Sequence, residues 1–333
     1  MLKEYLEFYF KDKELRHIFK DVVGSDDPNT VQPWIDKVIN QYQETPVEKI
    51  LFIESSIGVV FGFSLSNGQK IVLKIYSEKI PLTYLEQMNH IQNIFYKEDF
   101  PAPKVLSPIF PFGKTLAGFY QLIDGNKEDP HNSLIRKQLA KYLAKFSDIV
   151  DKHQLPPMEN FLQQASRKKL WPTPHNVLFN LKKTSRGAGW IANKARNAQK
   201  ILHSFPLKKK LAHTDWGVKN TIFRDKQPVG IFDWDSLGAM SEAEMVGRAA
   251  AQFTADWESE FKITPSPEEG RDFVAEYEIY RQKKFTSNEY KVVSAAADHL
   301  ITIIARFEHA GGGVNHPYQD LLRECGERGF LFA

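Results

Sequence analysis

The sequence predicts an α+β protein of two lobes, a small antiparallel-sheet N-lobe followed by a larger, mainly helical C-lobe. Three observations carry this. Short β-branched and aromatic runs follow one another between residues 49 and 76, and beyond Asp124-Gly125 apolar residues recur every three or four positions. The length, 333 residues, is about two domains' worth at roughly 100–200 residues each. The division falls at 1–124 and 125–333, with a hinge near 121–125. A chain that is 42% hydrophobic and 26% charged has the apolar content to build a core, which excludes disorder. Cys325 is the only cysteine. An intrachain disulfide is thereby excluded, a reducing compartment such as the cytoplasm is expected, and the thiol reads as a small buried apolar group.

Residues 1–45 read as two helical stretches interrupted by GSDDPN at 24–29. The opening MLKEYLEFYFKDKELR mixes charges into its apolar positions, so it lacks a signal-peptide core. No apolar run reaches the ~20 residues of a membrane span. KILFIE, VVFGFSLS and QKIVLKIY then read as three consecutive antiparallel strands over 49–76. Asn67-Gly68 separates the last two as a hairpin turn with both central positions at positive φ. Leu85, Met88, Ile91 and Phe95 mark a helix. The stiff PAP of 101–103, an apolar stretch near Val105 and a last strand at 118–123 complete the N-lobe. In the C-lobe, Ile135, Leu139, Leu143, Phe146 and Val150 form one helical stripe. A second helix is expected near 190–202, and the final hundred residues hold at least three helical patterns, one marked by Met245, Ala249, Phe253 and Trp257.

Net charge is +3, too small to name a partner, but its distribution is uneven. Residues 161–212 hold twelve Lys or Arg and no Asp or Glu, whereas 236–333 hold ten basic and sixteen acidic residues. The basic run lacks the interleaved aromatics of a nucleic-acid surface, so neither nucleic acid nor membrane is expected as a partner.

One β-hairpin stands out in the helical half: LAHTDWGVKNTIFRDKQPVGIFDW, 211–234. If DKQP at 225–228 closes a four-residue turn, Arg224 faces Val229 and Asn220 falls opposite Asp233. Directly opposed residues have Cβ atoms about 4.5–5.5 Å apart. An amide oxygen and a carboxylate that close can share a hard cation such as Mg²⁺. Asp215, five residues before Asn220, reaches the same mouth. Each residue alone is an ordinary turn former or cap; the spacing of all three together is what points to a site.

H-x-D-x4-N followed by an apolar strand ending in Asp resembles the catalytic and metal loops of the protein-kinase-like superfamily. It is most similar to the aminoglycoside phosphotransferase and choline kinase branch, over residues 45–260. The resemblance implies a bilobal protein-kinase-like fold and transfer of the γ-phosphate of ATP, with GTP as the alternative, to a hydroxyl of a small molecule. It implies that Asp215 accepts the acceptor's proton, that Asn220 and Asp233 hold Mg²⁺, and that His213 braces the loop. By the same resemblance Lys74 on the third strand holds the nucleotide phosphates. Ser55, Ser56 and Gly58 belong to a covering loop whose backbone amides suit anionic oxygens, and Gln121, Leu122, Ile123 and Asp124 form the hinge that binds adenine.

Two positions depart from the family pattern. The lysine's usual glutamate is missing from the following helix: Glu86 points away from the apolar stripe and neutral Gln87 takes the inward place. After Asp233 comes Trp234-Asp235, where Asp235 either adds a metal carboxylate or caps the next helix. The neutral Gln87 also admits a different class, a nucleotide-binding sensor or scaffold without transfer activity. A metal-dependent hydrolase would leave Lys74 and the three-strand lobe unexplained. The acceptor is open: Asp256, Glu258 and Glu260 suit a cationic one, the basic run an anionic one.

Overall fold

The computed structural model describes all residues except Met1, Glu44, Ser56, 160–168, Thr173, 175–178 and 332–333. The chain divides into two compact units. Met1–Lys97 with Ala102–Asp124 form the first, and Glu98–Pro101 with Gly125–Ala333 the second.

The first unit opens with three helices rather than two: α1 (Leu2–Tyr9), α2 (Lys13–Val23) and α3 (Pro28–Tyr42). The extra break has a local cause, since the Asp12 carboxylate accepts the Leu15 N–H at 3.1 Å and starts a new helix. Gly24, at φ 90°, ends α2; Asp27 then caps α3, with Pro28 in its first turn. Their buried faces, among them Leu6, Phe19 and Ile35, join one core with the sheet.

That sheet has five antiparallel strands in the order β1-β2-β3-β5-β4: β1 (Val47–Ser55), β2 (Val59–Leu65), β3 (Lys70–Ile75), β4 (Phe110–Phe112) and β5 (Thr115–Gln121). The three expected strands are present. The last one starts three residues earlier than expected and pairs with β4, a strand too short to show period-two alternation. At the Asn67-Gly68 turn only Gly68 has positive φ, and the Gly68 N–H bonds the Leu65 carbonyl at 2.8 Å. The loop therefore has three residues closed by a left-handed glycine, not the two-residue mirror-image turn. Phe61 faces Leu73 and Val60 faces Lys74. Phe61, Phe63, Ile71 and Leu73 lie in the core shared with α1–α3, so alternation puts Lys74 on the opposite face. The helix α4 (Leu82–Lys97) buries Leu85, Met88, Ile91 and Phe95 as its spacing requires.

The second unit contains α5 (Ser133–Lys152), α6 (Gly189–Ser204), α7 (Glu242–Gln252), α8 (Pro267–Arg281), α9 (Ser287–Gly311) and α10 (Pro317–Cys325). Two small ribbons lie between α6 and α7. One pairs β6 (Lys210–His213) with β9 (Leu237–Met240), and the other pairs β7 (Thr221–Arg224) with β8 (Gln227–Ile231). The starts of α7, α8 and α9 are written in the sequence as capping boxes: Ser241 with Glu244, Ser266 with Glu269, Thr286 with Glu289. The Met245 stripe is shorter than its period suggests. It ends with α7, Phe253 is the C-cap, and Trp257 is 55% exposed beyond it. Cys325 is buried, which pushes its thiol up to about 11. Among the described residues no helix is long and apolar enough to cross a membrane.

α7 meets α9 closely at Gly247. A Cβ there would run into the Val293 carbonyl, with its carbon only 2.8 Å away. Gly247→Ala would gain up to ~1 kcal/mol of helix propensity, but the backbone it strikes cannot rotate aside, and overpacking costs about 1–3 kcal/mol. Urea unfolding should show net destabilisation for Gly247→Ala and almost none for Gly189→Ala, where nothing lies within 4 Å.

Candidate active site

The β7–β8 hairpin turns on two residues, not four. Arg224 faces Gln227, and Asp225 and Lys226 both have positive φ, 50° and 61°. This is the mirror-image turn that matches strand twist. The register then shifts between Ile222 and Phe223, so that Thr221 faces Ile231. Asn220 consequently lies against Phe232, whose N–H bonds the Asn220 carbonyl at 2.8 Å, and Asp233 is one residue further on. Asp233 itself is left-handed (φ 62°, ψ 45°) and its carbonyl accepts the Ser236 N–H at 2.9 Å. A turn therefore lifts its carboxylate off the strand, a conformation Asp tolerates better than most residues.

His213 ties this turn to the loop carrying Asp215. Its Nε2 lies 2.9 Å from the Phe232 carbonyl oxygen, so that nitrogen carries the proton; Nδ1 then accepts from the Ser236 hydroxyl at 3.2 Å. Burial holds the imidazole below its ordinary range, against the opposing pull of the Phe232 carbonyl and of Asp215. Around it Trp216, Trp234 and Phe146 stand edge-on, with His213–Trp216 and His213–Trp234 ring centroids 5.5 and 6.4 Å apart. Both indoles are pinned, Trp216 to the Leu139 carbonyl at 3.1 Å and Trp234 to that of Ile231 at 2.9 Å.

Asp215 and Asn220 are in direct contact. The Asn220 amide nitrogen donates to the Asp215 carbonyl at 2.8 Å and to its Oδ2 at 3.3 Å. That orientation leaves the amide oxygen as Asn220's side-chain acceptor. Lys219 Nζ lies 2.7 Å from the same Oδ2. Burial pushes the Asp215 carboxyl up, but Lys219 and Asn220 outweigh it and hold the group below the usual range, hence ionised at neutral pH. Sequence reasoning missed Lys219, although its i,i+4 spacing from Asp215 was available. It also missed Trp257, over whose ring the Lys219 ammonium sits at 5.4 Å, and Lys127, which donates to the Lys219 carbonyl at 2.5 Å and pairs with buried Asp256 at 3.4 Å. Asp235 does not cap α7, because Ser241 does.

In the first unit Lys74 faces Gly118 across the sheet, and its ammonium lies 5.6 Å from the Tyr76 ring centroid. Glu86 is exposed and Gln87 half-buried. The buried polar groups of α4 are Asn89 and Gln92. Tyr76 donates to Tyr120 at 2.6 Å, and Tyr120 donates to Asn89 at 2.7 Å. Ser55 ends β1, and its hydroxyl accepts from Tyr9 at 2.8 Å. Gly58 passes so near β3 that a Cβ would stand 2.6 Å from the Ile75 carbonyl oxygen, which brings the loop against the strand of Lys74. Ser56 lies outside the described residues. Of the expected hinge, the Gln121 and Leu122 N–H groups bond the carbonyls of Lys104 and Lys70, and the Asp124 carboxylate pairs with Lys70 at 2.9 Å. Ile123 is half-buried between them.

The donor set fits magnesium. Among the described residues no three His, Cys, Asp or Glu side chains gather as a metal cluster, and Mg²⁺ is usually held by one or two carboxylates, with waters and phosphates completing its shell. An amide oxygen from Asn220 and a carboxylate from Asp233 match that need.

A family model described as the phosphotransferase enzyme family matches residues 54–282. The chain belongs to this phosphotransferase family. No curated protein matches it. Among solved structures it is similar to an amicoumacin kinase in complex with AMP-PNP and Ca²⁺ (13% identity, 89% of this chain and 93% of that one, TM-score 0.61). It is also similar to a Cryptosporidium parvum choline kinase (14%, 88% and 92%, 0.59) and a Plasmodium vivax ethanolamine kinase (16%, 96% and 94%, 0.55). These likenesses establish the protein-kinase-like fold of this phosphotransferase family member.

Two buried histidines set a pH dependence. Burial keeps His213 neutral and drives His299 down to about 4, whereas both titrate near ~6.5 when unfolded. Below that pH the unfolded chain takes up protons that the fold refuses, so stability falls as pH drops from about 6.5 toward 4. Thermal unfolding across this range should show a falling Tm, with a shallower slope for His213→Asn.

Proposed function

We propose that this family member is an ATP- and Mg²⁺-dependent kinase that phosphorylates a hydroxyl of a small molecule. The observation that carries the reading is the single bonded frame formed by His213, Asp215, Asn220 and the Phe232-Asp233 turn. It joins an ionised carboxylate to an amide, with a second carboxylate on the adjoining turn, the residue types that phosphoryl transfer uses. In the reaction the acceptor oxygen bonds to the γ-phosphorus, the bond to the β-bridging oxygen breaks, the hydroxyl proton passes to Asp215, and ADP leaves.

Asp215 orients the hydroxyl and takes its proton. Lys219 holds the carboxylate ionised and aimed until the acceptor arrives. Asn220 and Asp233 would hold Mg²⁺, which when bound neutralises charge on the nucleotide phosphates. Lys74 would hold the α- and β-phosphates beneath the loop of Ser55, Ser56 and Gly58, with Gln121–Asp124 as the adenine-binding segment. The chain's 1–124 and 125–333 halves would act as nucleotide and acceptor lobes. The kinases among its structural neighbours act, by their names, on amicoumacin, choline and ethanolamine, which supports a small hydroxylated acceptor here.

Two outcomes test this. Mg-ATP at about 100 times its Kd should stabilise the wild type by roughly 2.7 kcal/mol. That Tm rise should require magnesium and vanish in Asp233→Ala, with Mg-GTP run alongside as the alternative nucleotide. Asp215→Ala should keep the Tm rise yet lower phosphate transfer by about 10²–10⁴-fold, the usual worth of a general base, measured as ADP release. Transfer at wild-type rate in Asp215→Ala would remove it from the mechanism.

A further inference from the structure

We propose that Tyr76 is the positioning residue of Lys74, held for that role by a buried Tyr76–Tyr120–Asn89 hydrogen-bond chain that joins α4 to the sheet. This rests on the kinase reading above and deepens it by naming what aims its phosphate-binding lysine. α4 carries one carboxylate, Glu86, and it is exposed. Lys74 instead has an aromatic face beside it: its ammonium stands over the Tyr76 ring, 5.6 Å from the centroid. A cation within about 6 Å of a ring centroid is attracted by the negative face of the π system.

Tyr76 is fixed at three points. Its N–H donates to the Leu116 carbonyl at 2.9 Å, the buried Thr115 hydroxyl donates to its carbonyl, and its own hydroxyl donates to Tyr120 at 2.6 Å. The far end of the chain sets that last direction. Tyr120 spends its proton on Asn89 Oδ1 at 2.7 Å, an atom that can only accept. All three side chains of the chain are buried, which keeps bulk water from competing for these bonds. Gly118, opposite Lys74, leaves room for the route: a Cβ there would stand 3.1 Å from the Tyr120 hydroxyl and 3.2 Å from the Ile109 side chain. A phenol that donates its proton gains negative charge on its oxygen and ring, which strengthens its hold on a cation over the face. Asn89 on α4 is thereby coupled to Lys74 through two neutral hydroxyls and a ring.

The test reads the lysine first and nucleotide binding second. In the nucleotide-free protein the NMR resonance of the Lys74 ε-methylene, identified by its loss in Lys74→Met, should be shifted upfield by the Tyr76 ring. Tyr76→Phe should keep that shift, and Tyr76→Leu should return it to the position of exposed lysines. Calorimetric titration of Mg-ATP should then show Tyr76→Leu raising the Kd by about twofold to thirtyfold, the range a cation–π contact is worth, with Tyr76→Phe raising it less. In a Lys74→Met background the Tyr76→Leu effect should disappear, since a residue that acts through the lysine has nothing left to act on. Asn89→Leu keeps both rings and serves if Tyr76→Leu does not fold; it should reduce the upfield shift and raise the Kd. An unshifted Lys74 resonance overturns the assignment, and so does a Tyr76→Leu effect that persists in full beside Lys74→Met, which would make Tyr76 a packing residue. A Lys74 resonance and a Kd both unchanged in Asn89→Leu remove the chain from the role. A shifted Lys74 in a wild type that binds no Mg-ATP would sink the kinase reading and leave the Lys74–Tyr76 pairing standing.

Discussion

The candidate site depends on one neutral imidazole. His213 donates to the Phe232 carbonyl and accepts from Ser236, and so locks the end of β6 to the turn where Asp233 leaves the strand. Its burial among Trp216, Trp234 and Phe146 does two things together. It removes competing water from both hydrogen bonds, and it keeps the ring in the uncharged form that can donate at one nitrogen and accept at the other. A protonated ring would have two donors, and the Ser236 contact would need to reverse. The aromatic side chains thus act as the dielectric setting of a hydrogen-bond device as well as core packing.

Charge around Asp215 is arranged in pairs. Lys219 neutralises Asp215 and rests on exposed Trp257, while Lys127 holds the loop carbonyls and neutralises Asp256. Lys219 lets the Asp215 carboxylate remain ionised in a partly buried place. Away from the site a larger network does purely structural work. Arg281 gathers Glu242, Asp148 and Asp151, with Lys210 sharing Glu242 and Asp151, and so ties α8 to α5 and to the start of α7.

Much of this was legible in one sequence, and the reasons are local. β1 to β3 declare themselves by side-chain type, α4 and α5 by periods of three and four. The His213, Asp215, Asn220 and Asp233 spacing depends only on a short hairpin. The errors arise where a local pattern admits two geometries. Asp225-Lys226 closes the hairpin because both residues accept positive φ, an outcome that Pro228 two residues later disguises, and the resulting register puts Asn220 against Phe232 instead of Asp233. Asp12 starts a helix by one hydrogen bond that looks, in sequence, like an ordinary charged position.

The sequence by itself determined which chemistry is present: a small antiparallel sheet bearing Lys74, a helical remainder, and a hairpin that sets an acid, an amide and a second acid at fixed spacing. Those follow from steric and hydrogen-bonding preferences acting over a few residues. Only the tertiary structure decided which charges are already paired. Lys219 lies a few residues from Asp215 in sequence, but Lys127 reaches Asp256 across more than a hundred residues. Electrostatic pairing depends on distances of a few ångströms between residues far apart in the chain, and no local pattern encodes those.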